Sequence, residues 1–239
     1  MRLPTDKKGW RPSSWAVQEA FVEPIRSLSM NQSSVVAALH AVGERLAYDA
    51  PELERVEMVV IGGAAGLLSG SLSPDRTTTD CDVLSVDPSD AKPVVLAAAQ
   101  AVAEQIGLGE TWLNDGGAPW ADGLPRGWRD RCREVLRSGP LIVHAIGRVD
   151  LMALKLLAGR AQDIEDLVAL QLSPAEVTFL GEHLGAWSDD SWPRGMIDEA
   201  LVLLEALASG KHAQALADSM VEAPSPVHRS DEEAAHGSA

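Results

Sequence analysis

The sequence has few cysteines and histidines and no long apolar run. Its two cysteines, Cys81 and Cys132, are too few and too far apart among 239 residues to predict a disulfide scaffold. The six histidines show no metal-ligand spacing and no serine lies in a G-x-S-x-G pattern, so zinc and serine-hydrolase chemistry are not predicted. No segment is apolar enough for a membrane span or a secretory signal, and we expect a cytoplasmic protein with no membrane partner.

Positive charge is also scarce. The chain carries 35 acidic and 20 basic residues, a formal net charge of −15 at pH 7. Such a charge repels nucleic acid unless basic residues cluster. One segment, 126–137, contains five arginines around Trp128, and a solvated surface is the simpler interpretation of it. A small substrate, or a nucleotide held through a metal ion, fits this composition better than a long polyanion.

The pattern of apolar residues predicts an α+β protein with a small mixed sheet flanked by helices and an α-helical C-terminal part. Short apolar runs between turn residues predict four strands, at 56–63, 76–86, 111–115 and 141–147. Helices are predicted at 33–48, 64–69, 88–106 and 131–136, and through most of 148–208. The chain is therefore divided into an N-terminal extension whose order is left open (1–32), an α/β domain (33–147), a helical domain (148–220) and a disordered tail (221–239).

Two carboxylates lie two residues apart in the second predicted strand. Because side chains alternate between faces along a strand, Arg76, Thr78, Asp80 and Asp82 are expected on one side. Asp80 and Asp82 would repel each other unless a cation lay between them, and Mg²⁺, or Mn²⁺ in its place, prefers such oxygen ligands. Arg76, on the same face, is assigned to nucleotide binding. The alternative is a pair of solvated acids on an edge strand.

A double glycine, Gly62 and Gly63, ends the first predicted strand and precedes a short helix. Glycine at this place permits a positive φ and lets a phosphate approach the backbone. The alternative is a tight turn that binds nothing. Asp115, at the end of the third strand, is a candidate third metal ligand at the same edge of the sheet, or simply part of an Asp-Gly-Gly turn.

A second group of charged residues lies in the helical part. Lys155 interrupts an apolar helix, and Asp163 and Asp166 follow at a spacing that places them on one helix face. One interpretation places this cation and these acids on a wall of the cleft. The other extends Lys155 to solvent and makes Asp163 a helix cap.

These motifs together resemble a known superfamily. A strand ending in Gly-Gly, a short helix and a strand bearing Asp-x-Asp resemble the core of the DNA polymerase β-like nucleotidyltransferases. The fuller pattern GGAAGLL, RTTTDCDVL, WLNDG and DLMALKLLAGRAQDIEDLVAL resembles its AbiEii-type toxin branch and little-characterised bacterial relatives, over roughly residues 35–205. Two features depart from the pattern: the spacer at 71–75 is longer, and many active members carry Gly-Ser in place of Gly-Gly.

The resemblance implies a nucleotidyltransferase-type fold and a role for each matched residue. Gly62 and Gly63 would bind the triphosphate, and Asp80 and Asp82 would hold Mg²⁺. Lys155 and Arg160 would contact the nucleotide, and Asp163 would belong to a later acidic motif. The predicted catalytic residues are then Asp80, Asp82, Lys155 and Asp163. The predicted metal ligands are Asp80, Asp82 and Asp115, of which Asp115 comes from its place at the sheet edge and not from the resemblance.

The expected reaction moves a nucleoside monophosphate from an NTP to an acceptor such as RNA or a protein. By resemblance the chain would be the toxin of a bacterial toxin–antitoxin pair, with an antitoxin as partner, or an orphan relative. A degenerate member that only binds a nucleotide or a protein partner is the alternative. A transferase acting on a small molecule, as in aminoglycoside modification, would share the metal site.

Overall fold

A computed structural model describes residues 29–187 and 192–210 of the chain. Most of the predicted N-terminal extension and all of the predicted tail lie outside these residues. The strands are β1 (Val56–Ile61), β2 (Cys81–Asp87), β3 (Leu113–Asn114), β4 (Arg133–Ser138) and β5 (Leu141–Ala145). The α-helices are α1 (Gln32–Asp49), α2 (Gly62–Leu68), α3 (Lys92–Ile106), α4 (Trp128–Arg131), α5 (Arg148–Ala158), α6 (Ala161–Leu170), α7 (Pro174–Gly185) and α8 (Arg194–Ala208). Short 3₁₀ turns cover Ser89–Ala91 and Ala118–Gly123.

The strands form one mixed sheet in the order β3-β2-β1-β5-β4. Strand β1 is antiparallel to β2 and parallel to β5, β2 is parallel to β3, and β4 is antiparallel to β5. The α+β prediction, with a small mixed sheet flanked by helices, is confirmed. In this topology the end of β1 meets the start of β2: Ile61 pairs with Asp82, and Asp82 pairs with Asn114 of β3.

The first part of the predicted second strand is a loop. Strand β2 begins only at Cys81, and the segment before it touches the rest of the backbone through an isolated bridge between Met30 and Thr78. The N–H of Thr78 donates to the carbonyl of Met30 at 2.9 Å. The predicted strand-like alternation of side chains between Arg76 and Asp80 is therefore wrong. The conformation of this loop, rather than a strand, places Arg76 and Thr78.

Strand β4 was predicted as a helix, and this prediction is wrong. Arg133–Ser138 pairs with β5 in a hairpin whose turn contains Gly139 at φ +52°. A register shift between Glu134 and Leu136 interrupts the alternation of exposed and buried residues, so the segment lacks the period of two that marks a strand.

The buried apolar side chains form two clusters. One lies between the sheet and helices α1 and α3, and the other is built by helices α5 to α8. Helix α5 contributes to both, because Leu151 and Leu154 belong to the first cluster while Met152 and Leu156 belong to the second. Leu72, from the loop before β2, is also buried in the helical cluster. Among the described residues, no helix combines the length and the apolar character that crossing a membrane requires.

The arginine-rich segment does not form one solvated surface. Arg131 turns inward, and its Nε and Nη2 lie 2.9 and 2.6 Å from the carboxylate of Asp150, which is fully buried in the first turn of α5. The Arg137 side chain pairs with Glu134 on the same strand. Arg129 lies over the ring of Trp128, at 4.3 Å from its centroid.

Candidate nucleotide and metal site

The double glycine lies against the acidic strand. Gly62 follows β1 directly and has φ +69°, a conformation that disfavours any residue with a side chain. A Cβ on Gly62 would lie 3.4 Å from Asp82 Oδ2, and one on Gly63 would lie 2.8 Å from Thr78 Oγ1. The missing side chains thus allow the backbone of this turn to lie beside a carboxylate and a hydroxyl.

Asp80 and Asp82 lie on either side of Cys81, the first residue of β2, and Asp82 is next to this turn. Burial raises the pKa of Asp82, and the nearby charge of Asp80 raises it further. A hydrogen bond from Asn114 and the charge of Arg160 offset this only in part. Thr78 Oγ1 donates to the backbone carbonyl of Asp80 at 3.1 Å and lies 3.4 Å from its Oδ1. The negative charge of Asp82 is therefore only partly balanced by its neighbours.

This donor set fits a magnesium ion. Mg²⁺ binds through one or two protein carboxylates and takes its other ligands from water and substrate phosphates. Within residues 29–187 and 192–210, no three His, Cys, Asp or Glu side chains come together as a metal-binding group. Asp80 and Asp82 alone would hold such an ion from the protein side, and a triphosphate would complete its ligands.

Asp115 does not join this pair. Its Oδ2 accepts a hydrogen bond from Lys92 Nζ at 2.9 Å, on the surface. This hydrogen bond and the Lys92 charge lower the pKa of Asp115. The backbone carbonyl of Asp115 accepts from the N–H of Ala118, so Asp115 begins a turn, as the alternative interpretation predicted. The metal-binding role of Asp115 stays a prediction, whereas its neighbour Asn114 does lie beside Asp82.

Lys155 is buried rather than extended to solvent. Only 3% of its side chain is exposed, and its Nζ lies 2.9 Å from Asp163 Oδ1 and 2.6 Å from Asp166 Oδ2. Asp163 lies in the first turn of α6 and is not its cap, because the cap position is Arg160. The alternative in which Lys155 snorkels and Asp163 caps the helix is therefore wrong.

Two arginines extend this group toward the glycine turn and the carboxylates. Arg76 donates from Nε and Nη2 to the two oxygens of Asp166, at 2.8 and 3.0 Å. Arg160 donates from Nε to Asp163 Oδ2 at 2.6 Å, while 76% of its side chain is exposed. We call the five residues Arg76, Asp166, Lys155, Asp163 and Arg160 the charge chain. Three cations and two carboxylates leave it one net positive charge.

The charge chain acts on the carboxylate pair through Arg160. The hydrogen bond to Asp163 raises the pKa of Arg160 most, and the charges of Asp163, Asp82 and Asp80 raise it further. Arg76 lies at the other end, where its Nη2 is 4.0 Å from the position of a Cβ on Gly63. The structure thus brings together eight of the nine predicted site residues, Gly62, Gly63, Arg76, Asp80, Asp82, Lys155, Arg160 and Asp163, and leaves Asp115 apart.

The predicted set of site residues left out two members of this group. Thr78 was seen only as part of a strand, and its contact with the glycine turn depends on the loop conformation. Asp166 was placed on the same helix face as Asp163, but its partner Arg76 lies 90 positions away in the sequence. No local pattern shows such a pair.

The fold and the grouping of a glycine turn, a carboxylate pair and basic side chains define a nucleotidyltransferase-type domain. A family model described as "Nucleotidyltransferase of unknown function (DUF6036)" matches residues 37–176, more than half of the 239-residue chain. The chain belongs to this family. The matched region includes the double glycine, the carboxylate pair and the whole charge chain. No curated protein and no solved structure matches the chain.

Proposed function

We propose that the protein is a Mg²⁺-dependent nucleotidyltransferase that moves a nucleoside monophosphate from an NTP to an acceptor. The observation that carries this proposal is the closeness of the Gly62–Gly63 turn to Asp82, with Arg76 near Gly63 and the charge of Arg160 acting on Asp80 and Asp82. Membership of a nucleotidyltransferase family supports the same class of reaction.

Each element of the site has a distinct role in this proposal. The Gly62 and Gly63 backbone receives the triphosphate, since no side chain keeps phosphate oxygens away. Asp80 and Asp82 hold Mg²⁺, or Mn²⁺ in its place. The bound ion would offset charge on the phosphate oxygens and orient the reacting groups. Arg76 and Arg160 contribute positive charge to the same phosphates.

In the reaction, an acceptor hydroxyl oxygen forms a bond to the α-phosphorus. The bond from that phosphorus to the oxygen bridging it to the β-phosphate breaks, and pyrophosphate leaves. The hydroxyl proton passes to a carboxylate or to water. Positive charge at the phosphates stabilises the transition state because negative charge spreads over their oxygens as the bonds exchange.

The finer assignments rest on the sequence resemblance alone. They are an RNA or protein acceptor and a place as toxin in an AbiEii-type bacterial pair with a cognate antitoxin, or as an orphan relative. The proposed cytoplasmic location rests instead on the sequence composition. Lys155 and Asp163 keep their proposed place in the catalytic set. The structure favours an indirect action for Lys155, because both of its described ionic contacts are to Asp163 and Asp166.

A binding protein that has lost catalysis is the second candidate. Its support is the engagement of Lys155 and Asp163 with each other, together with the longer spacer at 71–75. Such a protein would hold NTP and never release pyrophosphate. Measuring pyrophosphate release therefore distinguishes the transferase from the binding protein.

The test is pyrophosphate release from each of the four NTPs with Mg²⁺, with and without total cellular RNA. The variant carrying Asp80→Asn and Asp82→Asn should release none. A matched variant carrying Asp75→Asn and Asp87→Asn makes the same change in net charge at exposed positions and should retain activity. Release that is unaffected by loss of Asp80 and Asp82 would overturn the proposal, and NTP binding without any release would favour the binding protein.

A further inference from the structure

Asp166 joins two cations that come from distant parts of the chain. It lies on α6 and accepts from Lys155 of α5 at 2.6 Å and from Arg76, in the loop before β2, at 2.8 and 3.0 Å. Its side chain is 6% exposed. Burial alone would raise the pKa of Asp166, but the hydrogen bonds from Arg76 and Lys155 outweigh it and lower the pKa. The carboxylate is therefore charged and fully engaged at neutral pH.

The bond to Asp166 fixes the orientation of the Arg76 guanidinium. A two-point contact between a guanidinium and a carboxylate holds both groups in one plane. Nε and Nη2 face Asp166, which leaves Nη1 on another edge of the group. With its amide oxygen turned toward Arg76, the exposed Gln162 accepts from Nη1 at 2.9 Å and from Nη2 at 3.1 Å. A phosphate oxygen can replace an exposed amide of this kind without breaking the buried pair.

Arg76 is held in the neighbourhood of the glycine turn. Its Nη2 is 4.0 Å from the position that a Cβ of Gly63 would occupy, and Thr78 Oγ1 is 2.8 Å from that position. The loop that carries Arg76 is also anchored by Leu72, which is buried among the helices. Without Asp166, the long side chain would recover rotamer freedom and would have to lose it again on binding a ligand.

We infer that Asp166 is a positioning residue for nucleotide binding, which holds the Arg76 guanidinium beside Gly63, where a triphosphate oxygen can replace Gln162 as its partner. The inference rests on the proposed function. Asp166 itself does not touch the nucleotide, since its two oxygens are occupied by Arg76 and Lys155. Its contribution to affinity passes through Arg76, and loss of either residue should have the same consequence for the ligand.

The test measures the Kd of Mg²⁺–NTP by calorimetry for Arg76→Gln, Asp166→Asn and the double variant. A charge-assisted hydrogen bond contributes about 1.5–3 kcal/mol, so Arg76→Gln should weaken binding by about 10- to 150-fold. Asp166→Asn should weaken it by a similar factor, and the double variant should be no weaker than Arg76→Gln alone. If Asp166 had only a structural role, its loss would lower Tm, but the losses in NTP affinity of the two single variants would add in the double variant.

Arg76→Lys provides a variant that keeps every charge of the chain. A lysine cannot make the two-point contact, so we expect a Tm near that of the wild type with NTP affinity reduced about tenfold or more. The matched control is Arg148→Gln. Arg148 is the first residue of α5, at the opposite end from Lys155, and pairs with Glu176 of α7, so this variant should leave the Kd unchanged.

The outcomes separate the inference from the function on which it rests. A wild-type protein that binds no Mg²⁺–NTP would overturn both. If the wild type binds and Arg76→Lys binds equally well, the inference alone is overturned. It is also overturned if Asp166→Asn and Arg76→Gln weaken binding by factors that multiply in the double variant. Arg76→Lys decides the question even if Asp166→Asn fails to fold.

Discussion

Removing the buried ammonium of Lys155 should strongly destabilise the fold. Lys155→Met keeps an unbranched apolar stem but leaves Asp163 and Asp166 without the cation they share. Removing one partner of a buried ion pair costs about 3–5 kcal/mol. Arg76 and Arg160 still contact the two acids, so we expect the lower end, about 3 kcal/mol. For a chain of this size, that loss lowers Tm by about 6–12 °C.

The assay is urea unfolding followed by circular dichroism, with Tm measured in parallel. Arg160→Met is the matched control, since Arg160 contacts the same Asp163 with a side chain that is 76% exposed. Exposed pairs contribute at most about 1 kcal/mol, so this variant should unfold nearly as the wild type does. Equal losses in the two variants, or a loss below about 1 kcal/mol for Lys155→Met, would refute the view that Lys155 is the buried centre of the charge chain.

Three further outcomes follow from the site and its support. Asp80→Asn should raise the stability of the ligand-free protein at neutral pH, because the like charge raises the pKa of Asp82 and ionised Asp82 is unfavourable there. For the same reason, the contribution of Asp82 to the free energy of unfolding of the wild type should become more favourable as the pH falls through that raised pKa. Measuring Tm as a function of pH in both proteins tests this. Gly63→Ala should abolish Mg²⁺–NTP binding in calorimetry with the secondary structure retained, because its Cβ would lie 2.8 Å from a threonine hydroxyl; unchanged binding would contradict a phosphate site there. Arg131→Met should cost about 3 kcal/mol in urea unfolding by leaving the buried Asp150 unpaired, and a neutral result would show that Asp150 is not ionised.

Local patterns were sufficient to predict the glycine turn and the carboxylate pair. The run from Val56 to Ile61 is a strand, and the double glycine follows it with the positive φ that was expected at Gly62. Ser173 and Glu176 form a capping box at the start of α7, another feature of closely spaced residues. These features depend on neighbours within a few residues, which a sequence shows directly.

The features that failed depend on contacts between distant segments. Arg76 was placed on the correct side of the site by an alternation that does not exist, and it reaches the site through Asp166 instead. Lys155 was left between two interpretations because its burial depends on how α5 packs against α6, and this packing leaves no local pattern in the sequence. Strand β4 was missed because a bulge interrupts its period and its partner β5 supplies the pairing.

The central claim is that Asp80 and Asp82 hold a divalent ion together with a nucleotide. Electron paramagnetic resonance of Mn²⁺ tests this most directly, because the signal of free Mn²⁺ falls as the ion binds. With a non-hydrolysable NTP analogue present, and after subtraction of the Mn²⁺ that the analogue binds without protein, we expect one tight Mn²⁺ site per wild-type chain and none in the variant carrying Asp80→Asn and Asp82→Asn. An equal number of sites with equal affinity in both proteins would contradict the account.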